Sequence, residues 1–532
     1  MTTPRDDAVV HPAALSRRHL VLGAAALAGA APFARLRPLV AGAQEASPEP
    51  VTGGILKVGM QSDPTALDAQ KQNLTAIWHV VEHIYEGLAR VRPDLTIEPA
   101  LAESWDISED GLTYTFHLRE GVLFHDGTPL TAGDVKFTFE RLVDPATAST
   151  SAAELDSMES VEAPDDRTVV LTLKAPNSSL LTTLAASASC LILSKAFVEA
   201  NNGDINQVAM GTGPFRFVEY VPNTRIVLER NPDYWEAPLP YLDGIEMTIA
   251  PDDTSRTTAV VTGTVDFIEY VPLRDVEILQ QDQSLVLAGD SNTNIRFIGL
   301  NLAREPFDNL QVRQAIAMVV NREDMLGPTV FGHGTPVATL FPPDFWAALP
   351  AEIPAPDIEG AKALLAEAGY PDGFQTTITS WSQYSFLSNA ALVLQEQLRQ
   401  IGIEAELNLV ENATMVEQVY TGKTFDIAVT GESAYVDPNT LIQQNFGSEE
   451  SGNFVGYANP RVDELIALGI ASTDEAARAE AYRELQQILL DDLPWISLFV
   501  ANQFEAMKTY VKNYQHIPTG SNVSFRQVYL EQ

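Results

Sequence analysis

Residues 54–60 (GILKVGM) carry no helical repeat and predict a first strand, which Asp63-Pro64 then interrupts. A helix is expected over 78–88. Residues 113–118 (TYTFHL) and 168–173 (TVVLTL) have the period-2 pattern of half-buried strands, whereas 132–142 follow Thr131 in the manner of a capped helix. The span 95–208 thus mixes strands and helices as a compact insert. Residues 213–230 are again strand-like, and Asp308-Asn309 precede a helical pattern over 312–320. Two amphipathic helices, 361–368 and 390–400, are each followed by a glycine stop and a β segment. From Trp495 onward strand-like runs return, as in a chain that ends in the lobe where it began. Strands alternating with helices predict α/β lobes, and 532 residues exceed what one hydrophobic core supports, so two or three packed units are expected.

The N-terminus has a different character. Ser16-Arg17-Arg18-His19-Leu20 precedes the small, apolar run 21–33 and then Ala41-Gly42-Ala43, which reads as a twin-arginine export signal cleaved after Ala43. The run is shorter than the roughly 20 residues that span hydrocarbon. No cysteine follows it to take a lipid, and residues 44–52 read as a flexible leader. The first 43 residues carry five arginines against Asp6 and Asp7, a local +3 that leaves −41 on the rest of a chain at −38. Such an acidic body disfavours nucleic acid and anionic lipid as partners, and the mature protein is expected not to be membrane-embedded.

Catalytic signatures are missing from the sequence. The eight histidines show no paired-ligand spacing, and neither a Gly-x-Ser-x-Gly elbow nor a Walker loop occurs, so no cofactor or metal is expected. Cys190, the single cysteine, lies in an apolar stretch and reads as a buried structural thiol. His125, in Phe124-His125-Asp126-Gly127, reads as a turn residue. Gly211-Thr212-Gly213-Pro214 precedes a strand rather than a helix, which makes it a hinge or tight turn rather than a phosphate cradle.

Several separated segments resemble the peptide/nickel-binding solute receptors of ABC importers, the family 5 solute-binding proteins. They are Pro99-Ala100-Leu101-Ala102-Glu103-Ser104-Trp105, Asp110-Gly111-Leu112-Thr113-Tyr114-Thr115-Phe116, and Phe124 to Ala132 (FHDGTPLTA). Gly211 to Phe215, Arg230 to Trp235 (RNPDYW), Pro306-Phe307-Asp308, Val312 to Ile316 and Leu365 to Tyr370 (LAEAGY) follow in the family's order. The resemblance implies a type II periplasmic-binding-protein fold, two α/β lobes with a hinge plus an extra insert domain. On that reading 1–43 is the signal, 44–52 the leader, 53–94, 209–294 and 500–532 one lobe, 95–208 the insert, and 295–499 the other lobe.

The same resemblance implies a small organic ligand held between the lobes, an oligopeptide, a sugar or a cationic compound. It also implies delivery by a monomer to ABC permease subunits with their ATPase, in the periplasm or outside the cell. Peptide-binding members hold the ligand amine with an aspartate in the segment matching Gly431 to Pro438, where Ala434 stands here. The arginine that dipeptide-binding members use for the carboxylate falls near Trp381. A zwitterionic dipeptide lacking partners for both charges would bind poorly, which argues against dipeptide specificity. Trp381, Tyr384 and Tyr435 are candidate stacking platforms, Glu432 a charge partner, Ser433 and Ala434 their neighbours, and Asn73 a rim residue. The competing readings are an exported cofactor-independent hydrolase and a secreted peptide-binding receptor or chaperone.

Overall fold

The computed structural model of the chain describes residues 50–72, 74–289, 291–432 and 436–531. The targeting segment and Asn73, Ser433, Ala434 and Tyr435 lie outside the described residues.

Ile55–Met60 has parallel partners on both sides, Gly244–Ile249 and Phe267–Ile268, which is why Leu56, Val58 and Met60 are all sealed in a core. This strand sits within a seven-stranded sheet. In spatial order the sheet runs Leu285–Ala288, Glu505–Lys508, Phe267–Ile268, Ile55–Met60, Gly244–Ile249, Arg225–Arg230 and Phe215–Val221.

A second, six-stranded sheet runs Gly334–Pro336, Trp495–Asn502, Ser291–Leu300, Ile427–Gly431, Gln375–Trp381 and Glu404–Val410. Its strands are buried on both faces. Phe297 and Ala428 pack with the helices Pro438–Phe446 and Pro460–Ala471, whereas Ile298, Ile378 and Val429 pack with Leu310–Val319 and Ser385–Arg399. A two-faced core of this kind explains the apolar runs of the central strands, Ile427 to Val429 and Trp495 to Val500.

The third sheet is antiparallel and joins Ala102–Ile107, Thr113–Leu118, Thr168–Leu173 and Met158–Asp165. In Thr113–Leu118 and Thr168–Leu173 alternate residues are buried, matching their period-2 sequences, and Ala132–Val143 lays Val135, Phe139 and Leu142 into the same core. That helix starts with a reciprocal capping box between Thr131 and Asp134.

One predicted helix is shorter than its pattern. It covers Thr75–Val81, not 78–88, because the following carbonyls are used elsewhere. The amides of Phe215 and Gly213 donate to His83 O and Ile84 O at 3.1 and 2.9 Å, and Gly211 and Gly213 dock so tightly that a Cβ on either would strike this segment. The glycine-rich turn is therefore a docking surface within the first lobe. The hinge is elsewhere.

Ala288 pairs with Glu505 in the first sheet, and Ser291 pairs with Asn502 in the second. Hence the two crossings between the sheets, after Ala288 and after Asn502, lie side by side, with Gly289 against Gln503 and Phe504. Gly289 has φ +102°, and a Cβ there would collide with the Gln503 carbonyl. Gly289→Ala is expected to cost about 1–3 kcal/mol, seen as a lower unfolding midpoint in calorimetry. Gly332→Ala, at φ +84° with open space around its Cβ, isolates the backbone component and should cost less.

Candidate functional site

Between the sheets lies a cleft formed by two adjoining hollows of about 730 and 470 Å³ that share Thr182, Val436 and Asp437. Volumes of this size suit an organic molecule of several hundred daltons. The first lobe contributes Trp78, Tyr270 and Thr519, and the insert region Thr182, Thr183 and Ser187. From the second lobe come Asn292, Asn294, Thr440 and Trp346, and Gln503 reaches in from a crossing segment. Hydroxyl and amide groups dominate the smaller hollow, with Trp78 and Tyr270 as aromatic surfaces, whereas the larger one is lined by apolar residues such as Leu95, Phe345 and Trp346 together with the acids Asp94, Asp344 and Glu475.

Asp437 sits at the junction of the hollows. It caps the helix Pro438–Phe446 by accepting the Asn439 amide at 2.9 Å, a position that Pro438 at the first helical residue favours. Arg478 Nη2 donates to both its oxygens at 2.7 and 2.8 Å, and Ser179 Oγ donates to Oδ1 at 2.9 Å. Arg478 in turn lies over the Trp346 ring at 5.3 Å. Oδ1 thus accepts three bonds and Oδ2 one, so the carboxylate is already paired within the protein. Beside it, Ser178 donates its amide to Ile470 O and its hydroxyl to Gly469 O, both at 2.9 Å, so the insert region grips the second lobe across the cleft.

The described sequence candidates gather at one end of the second sheet. Trp381 ends its strand, donates Nε1 to Asn412 Oδ1 at 3.2 Å, and packs at 6.0 Å from Tyr384 and 6.1 Å from Tyr420. It is half-buried against the lobe cores, and Tyr384 is exposed. The Glu432 amide donates to Ile295 O at 3.0 Å. Trp381, Tyr384 and Glu432 are not among the residues that line the two hollows. Tyr384 stacks near Phe386 at 5.8 Å, and Phe386 lies under the guanidinium of a residue that the sequence reading passed over, Arg296, at 4.9 Å. Its signal was a charge inside the apolar run Ile295 to Leu300.

His125 and Cys190 are structural. His125 Nδ1 accepts the Gly211 amide and Nε2 reaches Gly213 O at 3.0 Å, and burial pushes the imidazole down to about 4. Burial pushes the Cys190 thiol up, the opposite of what a nucleophile needs.

Behind the first-lobe wall lies a buried network of acids. His79 Nδ1 meets Glu269 Oε2 at 2.6 Å, and Tyr270, itself at φ +49°, stacks on His79 at 5.7 Å. Burial alone would lower the His79 pKa, but Glu269, with Glu82 and Glu505, outweighs it and holds the ring above its ordinary value. Glu82 accepts Ser521 Oγ at 2.5 Å and the Asn522 amide at 2.7 Å, and burial pushes its carboxyl up to about 7 despite His79 and these bonds. A carboxyl raised in this way stabilises the fold fully below its ordinary value of 4.5 and loses that contribution as pH rises through about 7. Glu82→Gln keeps the acceptor for Asn522 and is expected to flatten the fall in melting temperature over that window. At about pH 8 the variant should outlast the wild type in thermal unfolding.

Residues 96–453 match the family model described as bacterial extracellular solute-binding proteins, family 5 Middle. The glutathione-binding protein GsiB of Escherichia coli O1:K1 is 31% identical over 456 residues, 83% of this chain and 88% of that protein. Among solved structures, the periplasmic binding protein AgaA in complex with agropinic acid, from A. tumefaciens R10, is 31% identical, with a TM-score of 0.76 over 90% of this chain and 99% of that one. DppA of Helicobacter pylori in complex with the peptide STSA is 29% identical, with a TM-score of 0.75 over 91% and 99%. Members of the family are periplasmic or extracellular binding proteins that work with ABC permeases, and no helix among the described residues is long and apolar enough to cross a membrane. Family model, full-length relatives and a shared type II two-lobed fold agree: the chain belongs to the family 5 bacterial extracellular solute-binding proteins and has their solute-binding role in ABC import.

Proposed function

We propose that the mature chain captures a peptide-like or similarly amide- and hydroxyl-bearing solute by closing its two lobes, and releases it unchanged to a permease and its ATPase. The observation that carries this reading is the cleft itself: it draws walls from both sheets, and two adjacent segments join those sheets. Closure about such a bridge excludes water from the ligand and creates a shape that an importer can read. The wall chemistry supports an amide-rich solute, since Asn292, Asn294 and Gln503 offer both donors and acceptors. Relatives named for glutathione, agropinic acid and a peptide point the same way. Transport calls for no covalent step, and one chain supplies both walls of the cleft, so a monomer suffices.

Purified protein is expected to retain cargo that native mass spectrometry weighs and that extraction identifies as one compound or one narrow class. Incubation with peptides and glycosides should return them intact. Turnover that survives repurification and disappears with a point substitution would reject the binding-only reading.

Export by the twin-arginine route rests on Arg17-Arg18 and Ala41-Gly42-Ala43. Replacing both arginines with lysine is expected to strand precursor in the cytoplasm, followed by immunoblotting of cell fractions. Processed protein accumulating outside at the normal rate would show that another route is used.

A further inference from the structure

The buried acids behind the first-lobe wall are tied, one by one, to residues of the cleft. His79 follows Trp78 and carries the Tyr270 ring, and Glu269 precedes Tyr270. Glu505 accepts Gln503 Nε2 at 3.1 Å, and it stands where the chain enters the first sheet after the crossing. Glu82 accepts Ser521 Oγ and the Asn522 amide, shortly after Thr519 in the chain. Trp78, Tyr270, Gln503 and Thr519 all line the smaller hollow.

A chamber of about 50 Å³ lies beside that hollow and shares Trp78 and Thr519 with it. Glu82 and Ser521 line the chamber, and its size admits a few water molecules. Glu86, Arg90 and Arg526 also face it, but they are matched: Glu86 accepts Tyr234, Trp235 and Thr212, and the two arginines share Glu98 and Glu236. Around Glu82 the sum is different. Glu82, Glu269 and Glu505 all act on His79, and His516 Nδ1 meets Glu505 Oε2 at 2.8 Å. Burial pushes His83 down to about 3 and pushes Tyr270 and Tyr514 up, so none of these carries charge at neutral pH. Arg256, packed against the same turn, donates to Tyr270 O at 3.1 Å and pairs with Asp253 at 2.8 Å. Among the described residues, then, three buried carboxylates face at most two imidazolium cations. A proton on Glu82 relieves the excess.

We propose that solute capture takes up a proton at this cluster, with Glu82 as its seat, so that the cleft binds tightly in mildly acid surroundings and loosens as pH rises. This rests on the capture reading above. A solute lying on Trp78 and Thr519 covers the wall between chamber and hollow, and an unbalanced carboxylate becomes costlier as water leaves it. The solute-bound form therefore holds the proton more firmly than the empty one. By linkage, capture is strongest below the pH at which the empty cluster titrates and falls as pH rises through it, about 7 for Glu82. Glu82 is not among the residues that line the two hollows, so it acts as a positioning residue through the wall in front of it.

The test measures retention of a pool of tripeptides without titrating side chains by wild type, Glu82→Gln and Ser521→Ala, from about pH 5.5 to about pH 8.5, by extraction and mass spectrometry. Dividing each retention by that of Glu82→Gln cancels the titration of the peptides' own amino groups. The wild-type ratio is expected to fall about three- to tenfold across the range, since one linked proton allows at most about tenfold per pH unit. Ser521→Ala loses a bond that favours the ionised carboxyl, so its ratio should stay high to a higher pH. Thermal unfolding at each pH, run in parallel, separates lost binding from lost fold. A merely structural Glu82 would change retention equally at every pH, and the constant ratio that follows would overturn the proposal while leaving solute capture standing. A Ser521→Ala protein that titrates together with the wild type would overturn it as well. Failure of all three proteins to retain either peptides or cargo would reject the capture reading, and the proton linkage with it.

Discussion

The side-by-side crossing of the chain at Gly289 and at 503–504 is the constraint on which the rest of the molecule depends. Because each sheet completes its own ladder before the chain crosses, at Ala288 with Glu505 and at Ser291 with Asn502, the lobes are separately closed cores. Most of each core is buried within its own lobe, with Leu95 and Leu273 packing against the second lobe from outside it. The cleft is what remains between two such bodies. Polar contacts cross it as well, from Ser179 to Asp437 and from Ser178 to the carbonyls of Gly469 and Ile470. Each contact of this kind contributes about 0.5–1.5 kcal/mol net, which places the lobe–lobe balance within reach of a ligand's own binding energy.

The buried ions fit that balance in two ways. Asp437 with Arg478 is a pair made within the second lobe, bidentate and stacked on Trp346, so it persists whether or not the insert region approaches. A pair of this kind adds little net stability but is destructive to break, and it fixes the carboxylate that Ser179 must find. His79 with Glu269 works likewise on the opposite wall. Its charge holds the ring on which Tyr270 stacks, and Tyr270 keeps a left-handed backbone that only a well-determined surrounding sustains. Both walls are thus set before a solute arrives.

Much of the architecture was legible in the sequence, because it is written in local repeats. Thr113–Leu118 and Thr168–Leu173 alternate in sequence and in burial, and Thr131 opens a capped helix. The helix expected over 78–88 failed where Gly213 and Phe215, remote in sequence, take the carbonyls of Ile84 and His83. The site was harder still. Trp78, Thr182, Asn294, Asp437 and Thr519 belong to segments that nothing in their spacing connects. Trp381, Tyr384 and Glu432 were found because aromatic and acidic residues draw notice; Trp381 and Tyr384 do meet, and Glu432 favours the charge of Arg296, but none of the three lines the two hollows. A charge in an apolar strand is informative only when its partners, or their absence, are known.

The acidity of the chain and the chemistry of its cleft act over different distances. Residues 44–532 carry −41, so an acidic solute approaching through water is repelled over roughly 8–10 Å, the screening length at ordinary ionic strength. Added salt shortens that reach and speeds encounter with an anion. The same field keeps anionic polymers and lipid surfaces away. At the wall itself Asp94, Asp344 and Glu475 line one hollow and Glu154 the other, among hydroxyl, amide and aromatic groups. Selection there falls to hydrogen bonding and packing at contact, whereas the charge of the body acts before contact is made.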